Sequence, residues 1–569
     1  MKVFLFLLIG MFVFVMISGM GNAVECGNVP TDQCTVTAST VFANGNYYLN
    51  DSLGGVGIGA IRVQVDNIVL DCNNSFIIGN TTTGENVAPQ TIGLIFNTAS
   101  RKNITIQNCN LNNFWSSFKT RGNNLVLINV TSNNSYYGFD FETTNNSVII
   151  NSSISNPRGT GIYVDKAVNN TFNMINITGG NSDDYLVWFD TTGDSNTIIN
   201  SFFSANTIRV RGSRNNISFS NFINGNKTYD YGSIFLNGGD FNMVFNNTFI
   251  GNASRIDSEG SNNSEIFYNK IYNITQQSHC IGSIIGTKNI KIHNNFLYNC
   301  DIGILVTKNT GTISIINNTI NNTYAHFDSY DAGIFFELGG NVNAIVDGNN
   351  IDNFGTVGIG LKNSTNVTIS NNIISGLVNR TNKGYYDYFE PQVAIGLYED
   401  YKGFSGDGKA TSNWTSSDWS AYKNYNIIIS NNNISNVAVL LLDKNTINLI
   451  HDLNNYWFRS FKSNGLSEKY SLYNSNNFNF IDRIDINQNV NYTIGVCTLS
   501  NCSIFYKQNR TFSFYQNTQP SSDSVSVFNL TSPRFYNGTL TTGTILNNNN
   551  ATLVLDPQQQ IYVGDAGWN

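Results

Sequence analysis

The octapeptide Ile313-Ser-Ile-Ile-Asn317-Asn-Thr-Ile320 is one copy of a pattern that recurs along the chain and decides the fold. The pattern reads apolar-x-apolar-x-Asn-x-x-apolar, and its apolar residues alternate with a period of two, which is typical of β-strands. Further copies begin at Ile104, Ile217, Ile290, Val367 and Ile427. Successive copies lie about 20 to 26 residues apart, which is the period of a solenoid rather than that of a globular domain.

Each repeat contains a second short strand of the form Gly-Ile-x-apolar-x, as in Gly303-Ile-Leu-Val-Thr307. Neither strand is long enough to be stable alone, so we expect the strands to stack in register as parallel ladders around one apolar core. The recurring Asn is expected at the turn, where stacked side chains hydrogen-bond from rung to rung. The Gly is expected to permit a tight bend.

Over about residues 60 to 445, this pattern resembles the right-handed parallel β-helix repeat family, that is, the pectate-lyase-like and NosD-type superfamily. The stretch from Asp66 to Cys72, Asp-Asn-Ile-Val-Leu-Asp-Cys, is similar to the first coil of such proteins. The resemblance implies an all-β, right-handed parallel β-helix solenoid of about 13 to 15 coils. It is weak for activity, because this fold hosts lyases, hydrolases, adhesins and inert surface proteins.

The sequence divides into four predicted regions. Residues 1–23 form a signal peptide and residues 24–60 an N-terminal cap. Residues 61–445 form the β-helix, which is interrupted by a loop insertion at 381–425. The repeat then fades, and residues 446–569 are predicted to form a C-terminal β domain or cap, because a solenoid needs its last edge covered.

The N-terminus predicts export from the cell. Lys2 precedes an apolar run over residues 3–17 that is short for a membrane span, and Gly-Asn-Ala at residues 21–23 fits a cleavage site before Val24. An uncleaved anchor is the alternative. We expect a secreted or cell-surface protein whose mature chain has no membrane span, and some of its many Asn-x-Ser/Thr sequons are expected to carry glycans.

Eight cysteines fit an oxidising compartment. Laying Ile284 over Ile304 places Cys280 and Cys300 one rung apart, within reach of a disulfide. Cys497 and Cys502 could close a hairpin.

Composition excludes several classes of protein. The 569 residues carry 31 Lys and Arg against 38 Asp and Glu, a net charge of -7, and aromatic residues make up 13%. A nucleic-acid-binding protein would be basic, and a disordered chain would lack the aromatic and β-branched residues.

Stacking the second strands predicts two columns of side chains on one outer face. Carboxylates on neighbouring rungs suit Ca²⁺, and flat aromatic rings suit sugars. The alternative is a solvated face on which Arg211 pairs with Asp190. The first column is Glu142, Asp165, Asp190, Arg211 and Asn237, and the second is Asp140, Tyr163, Trp188, Arg209 and Phe235. The predicted roles are possible Ca²⁺ ligands for Glu142, Asp165 and Asp190, catalysis for Asp165, Asp190, Arg209 and Arg211, and substrate binding for Tyr163 and Trp188.

The insertions form a second candidate site, because long loops in solenoids often lie on the binding side. A histidine beside carboxylates could do acid–base work. The alternative is an exposed polar loop. The titratable candidates are His326, Asp328, Asp331, Glu390, Glu399 and Asp400, and the aromatic ones are Tyr385, Tyr388, Trp414 and Trp419.

Among the enzymes of the family that the repeat resembles, the polygalacturonase-like pattern needs an Asn-x-Asp, an Asp-Asp, a Gly-His-Gly and an Arg-x-Lys. Only Asp183-Asp184 and a loose Arg209-x-Arg211 are present, and the chain has no Gly-His-Gly. We therefore expect a non-catalytic protein that binds polysaccharide or belongs to the cell envelope, with a glycan and not a nucleic acid as partner. The alternative is a Ca²⁺-assisted lyase or a glycoside hydrolase acting on acidic polysaccharide. No other cofactor is expected.

Overall fold

The structure is a computed structural model, and it describes most of the chain from residue 24 to residue 451 and isolated strands beyond it. The described ranges are 24–51, 59–80, 91–96, 101–180, 185–204, 207–223, 232–251, 254–284, 286–307, 311–323, 332–337, 343–376, 393–398, 424–435, 439–444, 447–451, 456–463, 466–473, 482–486, 492–497, 502–508, 512–516, 544–546, 552–554 and 561–563. No helix in these ranges has the length and apolarity that crossing a membrane requires.

The chain divides into two compact units, residues 1–213 (unit 1) and residues 214–569 (unit 2). The strands of unit 1 are β1 Cys34–Val36, β2 Thr40–Val41, β3 Asn46–Tyr48, β4 Ile61–Val63, β5 Ile68–Ile78, β6 Ile92–Phe96, β7 Lys102–Asn112, β8 Ser116–Ile128, β9 Thr131–Asn133, β10 Tyr137–Asn145, β11 Val148–Ser155, β12 Ile162–Asp165, β13 Thr171–Thr178, β14 Val187–Phe189, β15 Thr197–Ile199, β16 Phe202–Ser204 and β17 Ile208–Val210.

The strands of unit 2 fall into two groups. The repeat strands are β18 Asn216–Ser218, β19 Asn221–Ile223, β20 Ile234–Asn237, β21 Met243–Phe245, β22 Thr248–Ile250, β23 Ile256–Glu259, β24 Glu265–Phe267, β25 Lys270–Ile284, β26 Ile290–His293, β27 Phe296–Thr307, β28 Thr312–Ile316, β29 Thr319–Thr323, β30 Ala332–Glu337, β31 Asn343–Asp347, β32 Asn350–Phe354, β33 Val357–Lys362, β34 Thr365–Ser370, β35 Ile373–Gly376, β36 Val393–Tyr398, β37 Tyr425–Ser430, β38 Asn433–Ser435, β39 Val439–Lys444 and β40 Ile447–His451. The later strands are β41 Tyr456–Ser463, β42 Leu466–Tyr473, β43 Asp482–Ile486, β44 Tyr492–Cys497, β45 Cys502–Gln508, β46 Phe512–Gln516, β47 Thr544–Leu546, β48 Thr552–Val554 and β49 Ile561–Val563.

The strands stack as the repeat predicts. Within each unit, a strand pairs in parallel with the equivalent strand of the next coil, so that Ile313 of β28 lies beside Ala344 of β31, and Ala344 beside Val367 of β34. From β41 onward the pairings are antiparallel. The described chain contains no helix, and the predicted all-β parallel β-helix is confirmed.

The core consists of the inward-facing residues of these ladders. In unit 1, Phe118 packs edge-on against Phe139 with ring centroids 5.4 Å apart, and Phe141 packs in the same way against Phe172. All four side chains are buried. Burial of each such ring stabilises the fold by roughly 2 to 3 kcal/mol, so the stacking of coils supplies the apolar contacts that no single coil has.

The recurring Asn residues form ladders, and they come as adjacent pairs with different roles. The first of each pair, such as Asn294, adopts a left-handed backbone with φ of 55° at the turn. The second points into the interior, where Asn295 Nδ2 donates to Asn318 Oδ1 at 3.0 Å and Asn318 Nδ2 to Asn349 Oδ1 at 3.0 Å. The predicted rung-to-rung hydrogen bonds are confirmed, and the interior ladder satisfies amides that would be costly to bury unpaired.

The glycines that open the second strands do not serve the predicted bend. Gly303, Gly333 and Gly358 are absent from the residues with positive φ. A Cβ on Gly333 would instead lie 2.6 Å from the carbonyl oxygen of Gly358 and 2.5 Å from Ile351 Cγ2. Glycine is required here because successive coils approach too closely for a side chain.

Among the side chains that the structure describes, three disulfides are present: Cys26–Cys34, Cys72–Cys109 and Cys280–Cys300. The predicted pair Cys280–Cys300 therefore forms, but the predicted register is wrong, because Ile304 lies beside Ile281 and not beside Ile284. The register of β25 shifts between Ile274 and His279, which gives β25 extra residues that simple repeat counting does not see. Cys497 and Cys502 lie opposite each other in the β44–β45 hairpin, and their disulfide stays a prediction.

Candidate functional site

One outer face of unit 1 carries a central column of large polar and aromatic side chains. The neighbours of these residues along each strand, such as Phe139 and Phe141, are buried, because side chains of a strand alternate between two faces. The strand registers confirm the predicted alignment of Asp140, Tyr163, Trp188 and Arg209, and the column extends one coil earlier. Phe235, which was expected on the same outer face, is buried. The central column comprises Lys119, Asp140, Tyr163, Trp188 and Arg209.

A charged column runs beside the central column, two residues further along each strand. Glu142 is the register partner of Asp165. Asp190 and Arg211 follow on the next two coils, each directly after the last paired residue of its strand. The side chains are 20% to 38% exposed, so they can contact a bound molecule without being fully solvated.

Four aromatic side chains form a continuous aromatic row across this face: Tyr137, Tyr163, Trp188 and Tyr185. The ring centroids of Tyr137 and Tyr163 are 5.6 Å apart, those of Tyr163 and Trp188 5.4 Å, and those of Trp188 and Tyr185 5.7 Å. Trp115 continues the row beyond Tyr137 at 5.1 Å, edge to face. Edge-to-face and tilted contacts of this kind are the favoured geometries of aromatic pairs.

Arg209 is held in place by two rings of the row. Its guanidinium lies 5.1 Å from the ring centroid of Tyr185 and 5.4 Å from that of Trp188. Its Nη1 also donates to the hydroxyl oxygen of Tyr185 at 3.2 Å. Cation–π contacts and a hydrogen bond together fix the orientation of a long side chain that would otherwise be mobile.

A network of ion pairs fixes the first coils of this face. Lys119 Nζ lies 3.1 Å from Asp140 Oδ2 and 3.2 Å from Glu142 Oε2, and Arg121 donates to Glu142 Oε2 from both Nε and Nη2. Burial raises the pKa of Asp140 in spite of Lys119. Burial also acts to raise the pKa of Glu142, but the hydrogen bonds from Arg121 and the charge of Lys119 outweigh it, so that the pKa is lowered.

Tyr163 is surrounded by negative charge. Burial raises the pKa of its phenol to about 12, and the nearby carboxylates, first Asp190 and then Asp165, add to the shift. At neutral pH the hydroxyl therefore keeps its proton. Tyr163 is suited to donate a hydrogen bond and unsuited to act as a base.

The three predicted Ca²⁺ ligands each have a cationic partner. Arg121 and Lys119 bind Glu142, while Asp165 Oδ2 lies 3.3 Å from Lys166 Nζ and Asp190 Oδ1 lies 3.6 Å from Arg211 Nη1. Among the described residues, no group of three or more His, Cys, Asp or Glu is placed to hold a metal ion. A Ca²⁺ ion would have to displace these cations, so the calcium site stays a prediction.

The second predicted site falls outside the described residues. Asp183-Asp184 also lies outside the described residues. The residues of the second site are His326, Asp328, Asp331, Tyr385, Tyr388, Glu390, Glu399, Asp400, Trp414 and Trp419.

Sequence reasoning missed the first coils of the face. Lys119 and Arg121 stand two residues apart on β8, as Asp140 and Glu142 do on β10, one coil before the predicted columns begin. Extending the same register backwards by one coil would have found them. Trp115, Tyr137 and Tyr185 lie before the alternating stretch of each strand, where the repeat gives no signal.

A separate cluster in unit 2 lies on the outer side of β23. Asp257 is fully buried, and its Oδ2 accepts hydrogen bonds from Arg255 Nε at 2.9 Å and from the backbone N of Gly232 at 2.6 Å. Its Oδ1 bonds to His279 Nε2. The register partner of Asp257 is Gly282, where a Cβ would collide with the His279 imidazole. This cluster satisfies a buried carboxylate at the point where β25 shifts its register.

No protein-family model and no curated protein matches this chain. Several solved structures resemble it. The tailspike protein of E. coli bacteriophage HK620 aligns over 84% of this chain and 85% of its own, with 9% identity and a TM-score of 0.40. PfbA, a surface adhesin of Streptococcus pneumoniae, aligns over 77% of this chain and 91% of its own, with 12% identity and a TM-score of 0.34.

The periplasmic alginate epimerase AlgG, in a double-mutant form, aligns over 67% of this chain and 76% of its own, with 14% identity and a TM-score of 0.32. Likeness at this level carries no argument about function. The parallel β-helix is therefore assigned from the strand register of this chain.

Proposed function

We propose that the protein is a polysaccharide-binding β-helix protein that acts outside the cell and binds glycan on the outer face of unit 1. The observation that carries the proposal is the aromatic row. Tyr137, Tyr163 and Trp188 stand on three consecutive coils, in contact with one another, and Arg209 is fixed against the last of them.

The chemistry of the face suits sugars. Aromatic rings offer flat apolar surfaces on which the C–H faces of pyranose rings pack, while the polar groups around them fix orientation and supply specificity. Tyr163 provides a phenol that stays protonated, and Asp165 and Asp190 provide acceptors for sugar hydroxyls. Because neighbouring coils are about 4.8 Å apart, these groups repeat along the direction in which an extended chain could lie.

The ion pairs favour binding over catalysis. Glu142 accepts hydrogen bonds from Arg121, Asp190 forms an ion pair with Arg211 at 3.6 Å, and Asp140 is buried against Lys119. Because the pKa of Glu142 is lowered, this carboxylate is a good positional acceptor and a weak proton acceptor.

A Ca²⁺-assisted lyase or a glycoside hydrolase that acts on acidic polysaccharide is the second candidate. The observation that favours it is the placement of Glu142 and Asp165 on neighbouring rungs. Arg209 and Arg211 on the following coils could accept an acidic sugar. This candidate requires that an incoming Ca²⁺ displace Lys119 and Arg121 from Glu142 and Lys166 from Asp165.

Affinity electrophoresis of the mature chain in gels containing neutral or acidic polysaccharides, with and without Ca²⁺, tests both candidates. We expect retardation by at least one polysaccharide without shortening of its chains, and at least a tenfold loss of affinity in Trp188→Ala. The matched control is Tyr48→Ala, which removes an aromatic residue of β3 that is 74% exposed and lies outside the row. Retardation that is unchanged in Trp188→Ala for every polysaccharide of the panel contradicts the proposal, and Ca²⁺-dependent shortening establishes the enzyme instead.

The proposed location has its own test. Sequencing the N-terminus of the secreted protein should give Val24 as the first residue, and treatment with a glycosidase should lower its mass if the sequons are occupied. An N-terminus at Met1 in a membrane fraction would establish the uncleaved anchor.

A further inference from the structure

One turn of unit 2 stacks the same backbone position on successive coils, and we call these residues the corner column: Phe219, Asn246, Tyr268, Asn294 and Asn317. Each donates its backbone N–H to a carbonyl on the next coil, at 3.0 to 3.3 Å. All five adopt a left-handed backbone, with φ between 51° and 55°. Asn tolerates this conformation, whereas bulky residues rarely adopt it. Phe219 and Tyr268 are therefore unfavourable choices for the backbone at these two positions.

The two aromatic side chains are also largely in solvent. Phe219 is 51% exposed and Tyr268 is 53% exposed, and Asn246 between them is exposed as well. Burial in the core of unit 2 therefore does not account for their apolar surface. Two exposed rings at one turn offer flat apolar surface against which a bound molecule can pack.

The orientation of these rings is set by a stack of rings beside them. Phe245, Phe267 and His293 follow one another in register on β21, β24 and β26, with centroids 4.8 and 5.0 Å apart and planes within 10° of parallel. Rings piled along the ladder in this way cover one another's faces. The faces of the stack are therefore closed to a ligand, and only its edges are presented.

The rings of Phe219 and Tyr268 are steeply inclined to the rings of this stack. The plane of Phe219 makes 79° with that of Phe245, and the plane of Tyr268 makes 67° with that of Phe267 and 74° with that of His293. The rings of the stack lie one above another along the ladder, so their planes are roughly perpendicular to it. A ring that is steeply inclined to these planes is therefore roughly parallel to the ladder. Their faces therefore run parallel to the ladder, and each side chain is more than half exposed. The two positions are two coils apart, which is about 9.6 Å at 4.8 Å per coil.

We propose that the corner column binds an uncharged, extended polysaccharide chain that runs along the ladder. Sugar rings two residues apart in the glycan pack on Phe219 and Tyr268, and the exposed amide of Asn246 hydrogen-bonds the sugar between them. Glu265 and Lys291, on the strands that carry Phe267 and His293, are paired with each other at 2.6 Å, so this pair does not call for a charged ligand. This site is separate from the aromatic row of unit 1, and its existence does not depend on the function proposed for that row.

Isothermal titration of the full mature chain with cellohexaose, chitohexaose and mannohexaose tests the proposal. We expect binding of at least one of these hexasaccharides, and at least a tenfold weaker affinity in the double variant Phe219→Asn/Tyr268→Asn. Both substitutions restore the residue that this backbone conformation favours, so the thermal unfolding midpoint should be unchanged or higher. A loss of binding cannot then be ascribed to a loss of folding.

Phe241→Asn is the matched control. Phe241 is 56% exposed and has a left-handed backbone with φ of 59°. It lies at a different turn from the corner column, where its N–H donates to the carbonyl oxygen of Asn262 on the next coil. Its substitution should leave the affinity unchanged, and so should Trp188→Ala in unit 1. If Trp188→Ala abolishes the hexasaccharide binding and the double variant does not, the corner-column proposal is wrong and the unit 1 proposal gains.

Two further results would overturn the proposal. One is an absence of binding of all three hexasaccharides by the wild-type chain. The other is a self-association, seen by sedimentation velocity, that the double variant abolishes, since the exposed rings would then form an interface between two copies of the chain.

Discussion

Asp257 and His279 share a hydrogen bond between Oδ1 and Nε2 although Asp257 exposes no surface to solvent. Burial acts to raise the pKa of Asp257, but the charges of Arg255 and His279 and their hydrogen bonds outweigh it and lower the pKa to about 2. A carboxylate whose pKa is lowered in the folded state stabilises the fold when it is ionised. The stabilisation is present above the unfolded value of 3.8 and is lost as the pH falls towards 2.

Asp257→Asn should therefore destabilise the protein by about 3 kcal/mol or more at pH 7, because it leaves Arg255 without its buried partner. Urea unfolding measures the effect. The difference from wild type should stay constant down to pH 4 and shrink between pH 3.8 and 2. Glu265→Gln is the control, since its pair with Lys291 is exposed and should contribute less than about 1 kcal/mol. A difference that does not vary with pH would refute the assignment.

Asp51 should show the opposite pH dependence. It is fully buried, its Oδ2 accepts from Ile92 N at 3.1 Å, and burial raises its pKa to about 6, with Asp32 adding to the shift. Its ionisation in the folded state is unfavourable, so stability is greatest below pH 3.8 and falls as the pH rises to 6.

Asp51→Asn keeps an acceptor for Ile92 and should raise the stability at pH 7 by on the order of 1 to 3 kcal/mol, with little effect below pH 3.8. Thermal unfolding at pH 3.5 and pH 7 measures this. Asp71→Asn is the contrasting control, because hydrogen bonds from Asn108 and Gln107 outweigh burial and lower the pKa of Asp71. That substitution should destabilise at pH 7, and a gain in stability there would contradict the account.

Asn295→Ala should interrupt the interior ladder. Asn295 Oδ1 accepts from Asn269 Nδ2 at 3.0 Å, and its own Nδ2 donates to Asn318 and to the backbone of Ile266. Removing one amide leaves buried groups unsatisfied on both sides, at a cost of about 2 to 4 kcal/mol. Urea unfolding at pH 7 gives the value.

The control for the ladder is Asn299→Gly. Asn299 donates to Asn273 at 3.1 Å on the exposed side of the turn, and its φ of 58° suits glycine. Its loss should cost less than about 1 kcal/mol. Equal effects of the two substitutions would mean that the interior ladder does not contribute as described.

Tyr163→Phe should separate the two roles of Tyr163 in the aromatic row. The ring stays, and the hydrogen-bond donor is lost, so glycan affinity should fall about three- to tenfold. Because the pKa of the phenol is raised to about 12, wild-type binding should not vary between pH 6 and pH 9. Tyr48→Phe should leave the affinity unchanged. A wild-type affinity or activity that changes with a midpoint in this range would point to a titrating group other than Tyr163.

The sequence predicts this fold and the central column because both depend on period. Tyr163 and Trp188 occupy the same position in successive repeats, and alternation then assigns them to the same face. The register of Cys300 could not be predicted, because the extra residues between Ile274 and His279 break the count without a change of composition. The ion pairs of Lys119 were missed for a different reason, since a single strand does not reveal which charges the next coil places beside it.

The interior ladder also bears on how such a chain can change in length. Asn349 and Asn372 are 23 residues apart and bonded at 2.9 Å, and Asn372 and Asn432 are 60 residues apart and bonded at the same 2.9 Å. The geometry of the interior hydrogen bonds therefore does not depend on the number of residues in the coil between them. The length of chain between two rungs can therefore differ without a change in the interior hydrogen bonds.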